Sequence, residues 1–319
     1  MPPEQLSLLN LSNTPLAPTD APPTRPTEID PATPLVIAYE TWLAHLQKMD
    51  TSFHTYTAFK CDINILFEHL DPGTPLNTVS TATLNTFLNW MRTGRGKPCS
   101  DKTYGRRVTS LKAFFRWVTP LAELRADPSD AVLQLSVRSP LPEILSDEEV
   151  EKCWVGGERL RLADKPDIRP LVLFKLLLDT GLKKVEVANL KLEQINLSNA
   201  ADLHLYVRYP EKKDWPKERR LKLTAEWVEI YRDYLTDFAP KDIVFPWSVR
   251  KLEFALGDTG RAAGIEKNVS FDMMRWTCAV RDFTSGIEEE ALRRKLGLSP
   301  IQWRETGERI RKLTESSRT

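Results

Sequence analysis

From Leu35 to Val118 large apolar residues recur at three- and four-residue spacings in four successive stretches, and this pattern constrains the fold more than any other. Each stretch reads as a helix with one apolar face, and four such helices joined by short loops must turn those faces on one another as a bundle. The first presents Leu35, Ala38, Tyr39, Trp42, Leu43 and Leu46. The second, about Ser52 to Leu70, presents Tyr56, Phe59, Ile63, Leu66 and Phe67 and stops at the turn signal Asp71-Pro72-Gly73. A third begins at Thr81 with Leu84, Phe87, Leu88, Trp90 and Met91 as its apolar residues. The fourth follows Cys99-Ser100-Asp101, an N-cap signal, and carries Val108, Leu111, Phe114, Phe115 and Val118.

The flanks of this bundle have a different composition. Residues 1–34 hold nine of the chain's 23 prolines among Ser, Thr and Asn, with almost no large apolar residue after Leu16. Such a segment cannot bury enough surface to offset its ordering entropy, so it reads as a disordered or extended arm. Residues 126–146, ADPSDAVLQLSVRSPLPEILS, read as a linker, and Ser146-Asp147-Glu148-Glu149 as the capping-box start of the next helix. The expected division is therefore an arm at 1–34, a helical domain at 35–125, a linker at 126–146 and a second domain at 147–319. A chain of 319 residues is long enough for two such cores.

Composition excludes several classes of function. No apolar run has the length of a membrane span, and the N-terminus lacks the basic head and apolar core of a signal peptide, so a cytoplasmic, nucleoid-associated location is expected. Cys61, Cys99, Cys153 and Cys278 lie far apart without metal-ligand spacing and read as reduced, mostly buried thiols; no metal or other cofactor is expected. A formal net charge of +1 leaves nucleic-acid binding to be decided by local patches. Two such patches stand out. Residues 92–116 contain eight Lys or Arg, including Arg95, Lys97, Lys102, Arg106, Arg107 and Lys112, against the single acid Asp101. Residues 208–222 contain seven basic residues, including Lys212, Lys213 and Lys217, against three acids. Basic density beside buried aromatics is the expected footprint of phosphate contacts, the alternative being a solvated surface.

In the second domain, Leu171 to Leu197 reads as a buried helix, a turn at Thr180-Gly181-Leu182 and another helix. Two strand-like runs follow, LHLYVR at 203–208 and RRLKL at 219–223, joined by YPEKKDWPKE. His204 reads as a structural or surface residue and not a catalyst, Trp247 as core and Trp276 as packing. The last chemically informative stretch, Val269 to Arg309, reads VSFDMMRWTCAVRDFTSGIEEEALRRKLGLSPIQWRETGER.

These segments resemble the tyrosine recombinase or phage integrase family, which includes the chromosome-dimer resolvases. SDKTYGRRVTSLKAFFRW resembles a helix of its core-binding domain, and TGLKKVE resembles its first catalytic box, usually Thr-Gly-Leu-Arg-x-x-Glu. In its second box, His-x-x-Arg is followed by a Gly eleven residues on, a Leu-Gly-His triplet ten beyond that and a nucleophilic Tyr nine beyond the second His. Laid on Arg275 without a gap, this frame puts Gly286 on the glycine and Leu296, Gly297 and Leu298 on the triplet. It also puts Asp272 and Leu298 where the two His belong, Gly307 where the Tyr belongs and, in the first box, Lys183 where the first Arg belongs. No Tyr follows Tyr234 and no His follows His204.

The resemblance implies a mainly α fold with a small β-sheet: a core-binding, SAM-like helical bundle, then an α+β catalytic-like domain closing with it around duplex DNA. It implies an active site of which only Arg275 is kept outright, as a bidentate phosphate clamp, unless Arg275 serves a salt bridge to Asp272 or Asp282. Lys183 supplies a charge without the guanidinium fork. Lys212 and Lys213, and less closely Lys217, match the hairpin Lys that protonates the leaving oxygen. A carboxylate at Asp272 cannot copy His beside a phosphate. The function implied is a double-stranded DNA binder without strand cleavage, a repressor-like regulator or a non-catalytic recombination partner, with homo-oligomer or recombinase contacts through the C-terminal tail. The alternatives are an active recombinase using a hydroxyl such as Ser299 or Thr306, and a protein-interaction module that does not touch DNA.

Overall fold

A computed structural model describes residues 28–97, 99–132 and 140–316. The expected arm falls largely outside these residues, as do 133–139 within the expected linker. The chain divides into two compact units at Ser139 and Pro140.

The first unit is built on helices α1 (Leu35–Lys48), α2 (Phe53–Leu66), α3 (Thr81–Thr93) and α4 (Asp101–Leu121). Ser52, Ser80 and Ser100 accept the backbone N–H three residues on at the starts of α2, α3 and α4, so each helix begins where a hydroxyl satisfies an otherwise orphaned donor. Trp42, Phe87, Phe114 and Phe115 fill the core with the aliphatic residues of the same faces. The second helix is shorter than its periodicity suggests, ending at Leu66 before turns that run to Leu70.

Two expectations are corrected here. Residues 30–34 are not part of a free arm: Leu35 N–H donates to Thr74 O at 2.9 Å, Leu76 N–H to Thr33 O at 3.0 Å and Asn77 N–H to Pro31 O at 2.9 Å. The proline-rich composition hid this anchoring because Pro31 and Pro34 still offer carbonyls to a neighbouring segment. Likewise the start of the expected linker belongs to the first unit. Asp127 accepts from Ser129 N–H and Oγ–H at 2.7 Å, Thr81 Oγ1 donates to Pro128 O at 2.8 Å, and Val132 is buried in the core.

The second unit is organised around α6 (Arg169–Thr180), whose sequence RPLVLFKLLLDT is apolar on nearly every side because α5 (Asp147–Arg161), α8 (Ala225–Phe238), α9 (Val249–Ala262) and α10 (Phe271–Thr284) all pack against it. Ser146 and Glu149 form the expected capping box at α5. Between α6 and α8 lie the short α7 (Lys184–Ala188) and an antiparallel sheet in the order β1 (Ile195–Asn196), β2 (His204–Val207), β3 (Arg219–Lys222), with Leu205 opposite Leu221 and Val207 opposite Arg219. Period-two alternation turns Leu221 inward and leaves Arg220 and Lys222 exposed. Helices α11 (Glu289–Lys295) and α12 (Pro300–Ser316) close the unit, and Ile310 and Leu313 of α12 are buried against α10 and α11 residues.

Candidate nucleic-acid interface

In the first unit the basic stretch separates into side chains that hold the bundle and side chains that face solvent. Asp62 of α2 is 2% exposed and accepts from Arg106 NH1 at 2.6 Å and Ser110 Oγ–H at 2.7 Å; Arg107 Nε lies 3.7 Å away. The Arg107 side chain is only 11% exposed, so it braces α4 against α2 instead of reaching outward. Arg95 donates from Nε and NH2 to the two oxygens of Glu68, both at 2.8 Å, and that charge-assisted fork holds the Glu68 carboxyl below its ordinary range. Lys112 is half-buried with Nζ 3.5 Å from Asp130 O. Lys97, Lys102 and Arg116 are exposed, and Arg106 keeps about half of its side chain in solvent. Of the expected phosphate contacts, then, Arg95 is committed internally, because a bidentately paired guanidinium has little capacity left for a second anion, while Arg107 is mostly enclosed near Asp62 with its Nε and NH1 making no hydrogen bond.

In the second unit three loop ends converge. Gly181 ends α6 at φ +60°, a conformation that favours glycine; a Cβ there would meet Leu296 Cδ2 at 3.1 Å and Cys278 Sγ at 3.3 Å. The turn places Lys183 at the start of α7, and Glu186 accepts the Lys183 N–H at 2.8 Å. Arg275 of α10 reaches across to the same turn and to the end of α11, donating to Gly181 O and Leu296 O, both at 2.5 Å. It bonds neither Asp272, which is exposed, nor Asp282, which pairs with Lys295 Nζ at 2.6 Å. The salt-bridge alternative for Arg275 is thereby replaced by carbonyl contacts, which neutralise no charge.

The carboxylate of this cluster is Glu186, with its side chain 2% exposed. Arg219 of β3 binds it through NH1–Oε1 at 3.0 Å and NH2–Oε2 at 2.9 Å, and the Tyr209 hydroxyl donates to Oε1. Burial pushes this carboxyl up, but the bonds and charge of Arg219, with the Tyr209 hydroxyl and Lys183 N–H, outweigh it and hold it below its ordinary value. Burial and the bond to Glu186 push the Tyr209 hydroxyl up to about 12. Lys183 Nζ is 4.0 Å from Glu186 and its side chain 38% exposed. Its ammonium is held below the ordinary lysine range, by desolvation first and then by Arg275, Arg219 and Lys217, against the opposing pull of Glu186. Desolvation likewise lowers Arg275, with Arg219 adding to it and Glu186 opposing. Three cations around one carboxylate leave surplus positive charge, an arrangement suited to binding an anion.

The hairpin loop is more internally paired than its composition suggests. Lys213 pairs with Glu211, Lys217 with Asp214 at 2.5 Å, and Lys212 lies over the exposed Trp215 ring at 6.0 Å. In α12, Gly307 is buried, and a Cβ there would lie 3.1 Å from the Trp303 indole. Leu298 is partly buried beside α12, and Ser299 Oγ caps that helix by accepting Gln302 N–H at 3.3 Å. His204 is buried, with Nδ1 at 2.7 Å from Asp202 O and 3.0 Å from Arg220 NH2. Trp247 is less enclosed than a core residue, since Arg169 stacks on its ring at 4.6 Å. Cys153 and Cys278 are buried, whereas Cys61 is exposed. Among the described residues no cluster of His, Cys, Asp or Glu could hold a metal ion, and no helix is long and apolar enough to cross a membrane. Arg219 and Tyr209 are the residues that sequence reasoning missed. For Arg219 a signal existed: in RRLKL it shares the inward face with Leu221, and a charge on a buried face requires a partner.

Sequence comparison accords with this arrangement. Residues 157–303 match the Phage integrase family, and residues 39–120 match the phage integrase N-terminal SAM-like domain. The chain belongs to the phage integrase family of tyrosine recombinases. Family relatives include the tyrosine recombinase XerD of Listeria innocua, 22% identical over 273 residues that cover 78% of this chain and 86% of that protein. A tyrosine recombinase of Thermosipho africanus is 21% identical over 81% of this chain and 89% of its own length. Solved structures in the family share the fold: a lambda integrase (75–356) dimer bound to a COC' core site has a TM-score of 0.68 at 14% identity, covering 86% of this chain and 95% of that one. XerH bound to a palindromic difH substrate has a TM-score of 0.68 at 16% identity, covering 88% and 80%. The family's SAM-like and integrase-type domains and the mainly helical fold with a small sheet are thus as expected.

Proposed function

We propose that this family member binds duplex DNA without cleaving it, as a repressor-like regulator or as a non-catalytic partner in a recombination complex. The observation that carries this reading is at position 307. The ungapped frame from Arg275 puts the family's nucleophilic tyrosine on Gly307, which lies on the inward face of α12 with the Trp303 indole 3.1 Å from where a Cβ would be. Phosphoryl transfer through a covalent protein–DNA link needs a nucleophile at that place and two guanidinium forks on the phosphate. Lys183 offers a point charge, and two of the Arg275 donors are already on main-chain carbonyls.

What remains supports binding. Lys183 and Arg275 carry the surplus charge of the Glu186 cluster, Lys212 is exposed on the adjoining hairpin beside the paired Lys213 and Lys217, and Lys97, Lys102, Arg106 and Arg116 face solvent in the first unit. Lambda integrase and XerH were solved with DNA, the former also as a tetramer on a Holliday junction, which supports duplex DNA and a multimeric assembly as partners. Ile310 and Leu313, the buried apolar residues of α12, pack within their own unit, so contacts through the tail would use its exposed face, including Ile301. Ser299 is occupied as a helix cap, which disfavours it as a substitute nucleophile.

The test is binding to sheared host DNA across a salt series, sequencing of the retained fragments, and incubation with a nicked form of the recovered site. Affinity falling steeply with salt and no denaturant-stable adduct is the expected result. A covalent adduct would overturn the non-cleaving reading, and salt-insensitive recovery without enrichment would remove the DNA-binding one.

A further inference from the structure

Arg219 has no place among the expected site residues, yet among the described residues of the second unit no guanidinium makes more hydrogen bonds. Its Nε–H donates to Lys295 O at 2.6 Å, NH1 to Glu186 Oε1 at 3.0 Å and Lys217 O at 3.1 Å, and NH2 to Glu186 Oε2 at 2.9 Å. With 7% of its side chain exposed it cannot itself lie along a DNA backbone. Lys295 O, which it holds, is adjacent in the chain to Leu296 O, which Arg275 holds. The next residue, Gly297, has φ +58°, and a Cβ there would sit 2.7 Å from Arg219 NH1, so the turn is shaped around this guanidinium.

The charge balance gives the engagement a consequence. Glu186 can neutralise one of its three cationic neighbours, and a bidentate fork with both carboxylate oxygens is the strongest pairing open to it. While Arg219 occupies those oxygens, Lys183 stays 4.0 Å away and Arg275 bonds only carbonyls, so their charges remain available. Without Arg219 the buried Glu186 would have to be compensated by Lys183, the nearest remaining cation.

We propose that Arg219 is a positioning residue: by clasping Glu186 and Lys295 O it keeps Lys183 and Arg275 directed at a DNA phosphate. The clasp rests on the DNA-binding reading above for its purpose, but its effect on Lys183 can be read without DNA. A replacement such as Arg219→Gln removes both the fork and a neighbouring positive charge, so Lys183 moves onto Glu186 and holds its proton to higher pH. In Glu186→Gln/Arg219→Gln no carboxylate remains to claim Lys183.

The experiment uses the full chain and two readouts. In the first, the rate at which an amine-reactive acylating reagent modifies Lys183 is followed against pH by mass spectrometry. The expected profile moves to higher pH in Arg219→Gln and returns towards the wild type in the double variant; coincident wild-type and Arg219→Gln profiles overturn the proposal. In the second, affinity for a labelled duplex is measured across a salt series. Arg219→Gln should bind about tenfold or more weakly, with the slope of log K against log salt smaller in magnitude by about one, the value of one phosphate contact, and the double variant should recover the slope. A purely structural arginine would lower thermal stability and leave the slope of the folded fraction unchanged, which overturns the proposal, as does a double variant with the reduced slope. Should Arg219→Gln fail to fold, the double variant decides alone, a wild-type slope supporting the clasp and a reduced one overturning it. If the wild type binds no DNA, the functional reading falls while the acylation profiles still decide the clasp.

Discussion

Lys183 is a residue whose protonation should be visible in binding. Desolvation and its cationic neighbours Arg275, Arg219 and Lys217 hold its ammonium below the ordinary lysine range, against Glu186. DNA affinity should therefore begin to weaken, as pH is raised, before ordinary lysines titrate; Lys183→Arg, which stays charged, should flatten that fall. Affinity against pH for the two proteins checks this, and identical profiles would place the phosphate elsewhere. Glu186 acts in the other direction. Its carboxyl is held below the ordinary range, so the stability it contributes is complete above the unfolded carboxylate value of about 4.3 and is lost as pH falls through the lowered value. Glu186→Ala would leave Arg219 buried without its carboxylate, a loss on the order of 3–5 kcal/mol at neutral pH measurable by urea unfolding of the second unit. The sequence marked Lys183, Glu186 and Arg275 through motif spacing. It did not mark the Tyr209 and Arg219 contacts to Glu186, because those join positions 23 and 33 residues apart through the pairing of β2 with β3.

Among the elements, the α5–α9 crossing depends on the absence of a side chain. A Cβ on Gly156 would meet Ala263 N at 2.7 Å and Thr259 O at 2.8 Å. Both obstacles are backbone and cannot rotate aside, so Gly156→Ala should cost about 1–3 kcal/mol despite its better helix propensity, seen as a lower thermal midpoint for the second unit. In the first unit, α2 and α4 are joined through Asp62. Asp62→Ala would strand the Arg107 guanidinium, 11% exposed, and should cost about 3 kcal/mol of that unit's stability by chemical denaturation. The four helices of this bundle were legible because their apolar period, and for α4 the Ser100 cap, act locally. The shortness of α7 was not, since a five-residue helix has too few turns to show a period.

At the scale of the whole molecule the two units have separate apolar cores, one filled by Trp42, Phe87, Phe114 and Phe115, the other by Phe174, Trp227, Tyr231 and Phe245. Fragments 28–132 and 140–316 expressed separately should each unfold cooperatively, and circular dichroism melts of the two would show it; a fragment without a transition would mean that its core is incomplete alone. By itself the sequence determined the helical bundle, the hairpin and the ungapped spacing from Arg275 to Gly307, because helix period, caps and chain spacing are properties of neighbouring residues. Only the tertiary structure decided which charges remain available. Arg95 and Arg219 look like surface cations in the sequence, and they are withdrawn onto Glu68 and Glu186 because a guanidinium carried inside by its own helix or strand must find a carboxylate there. The surplus positive charge at Lys183 and Arg275 follows from that pairing, between segments far apart in the chain.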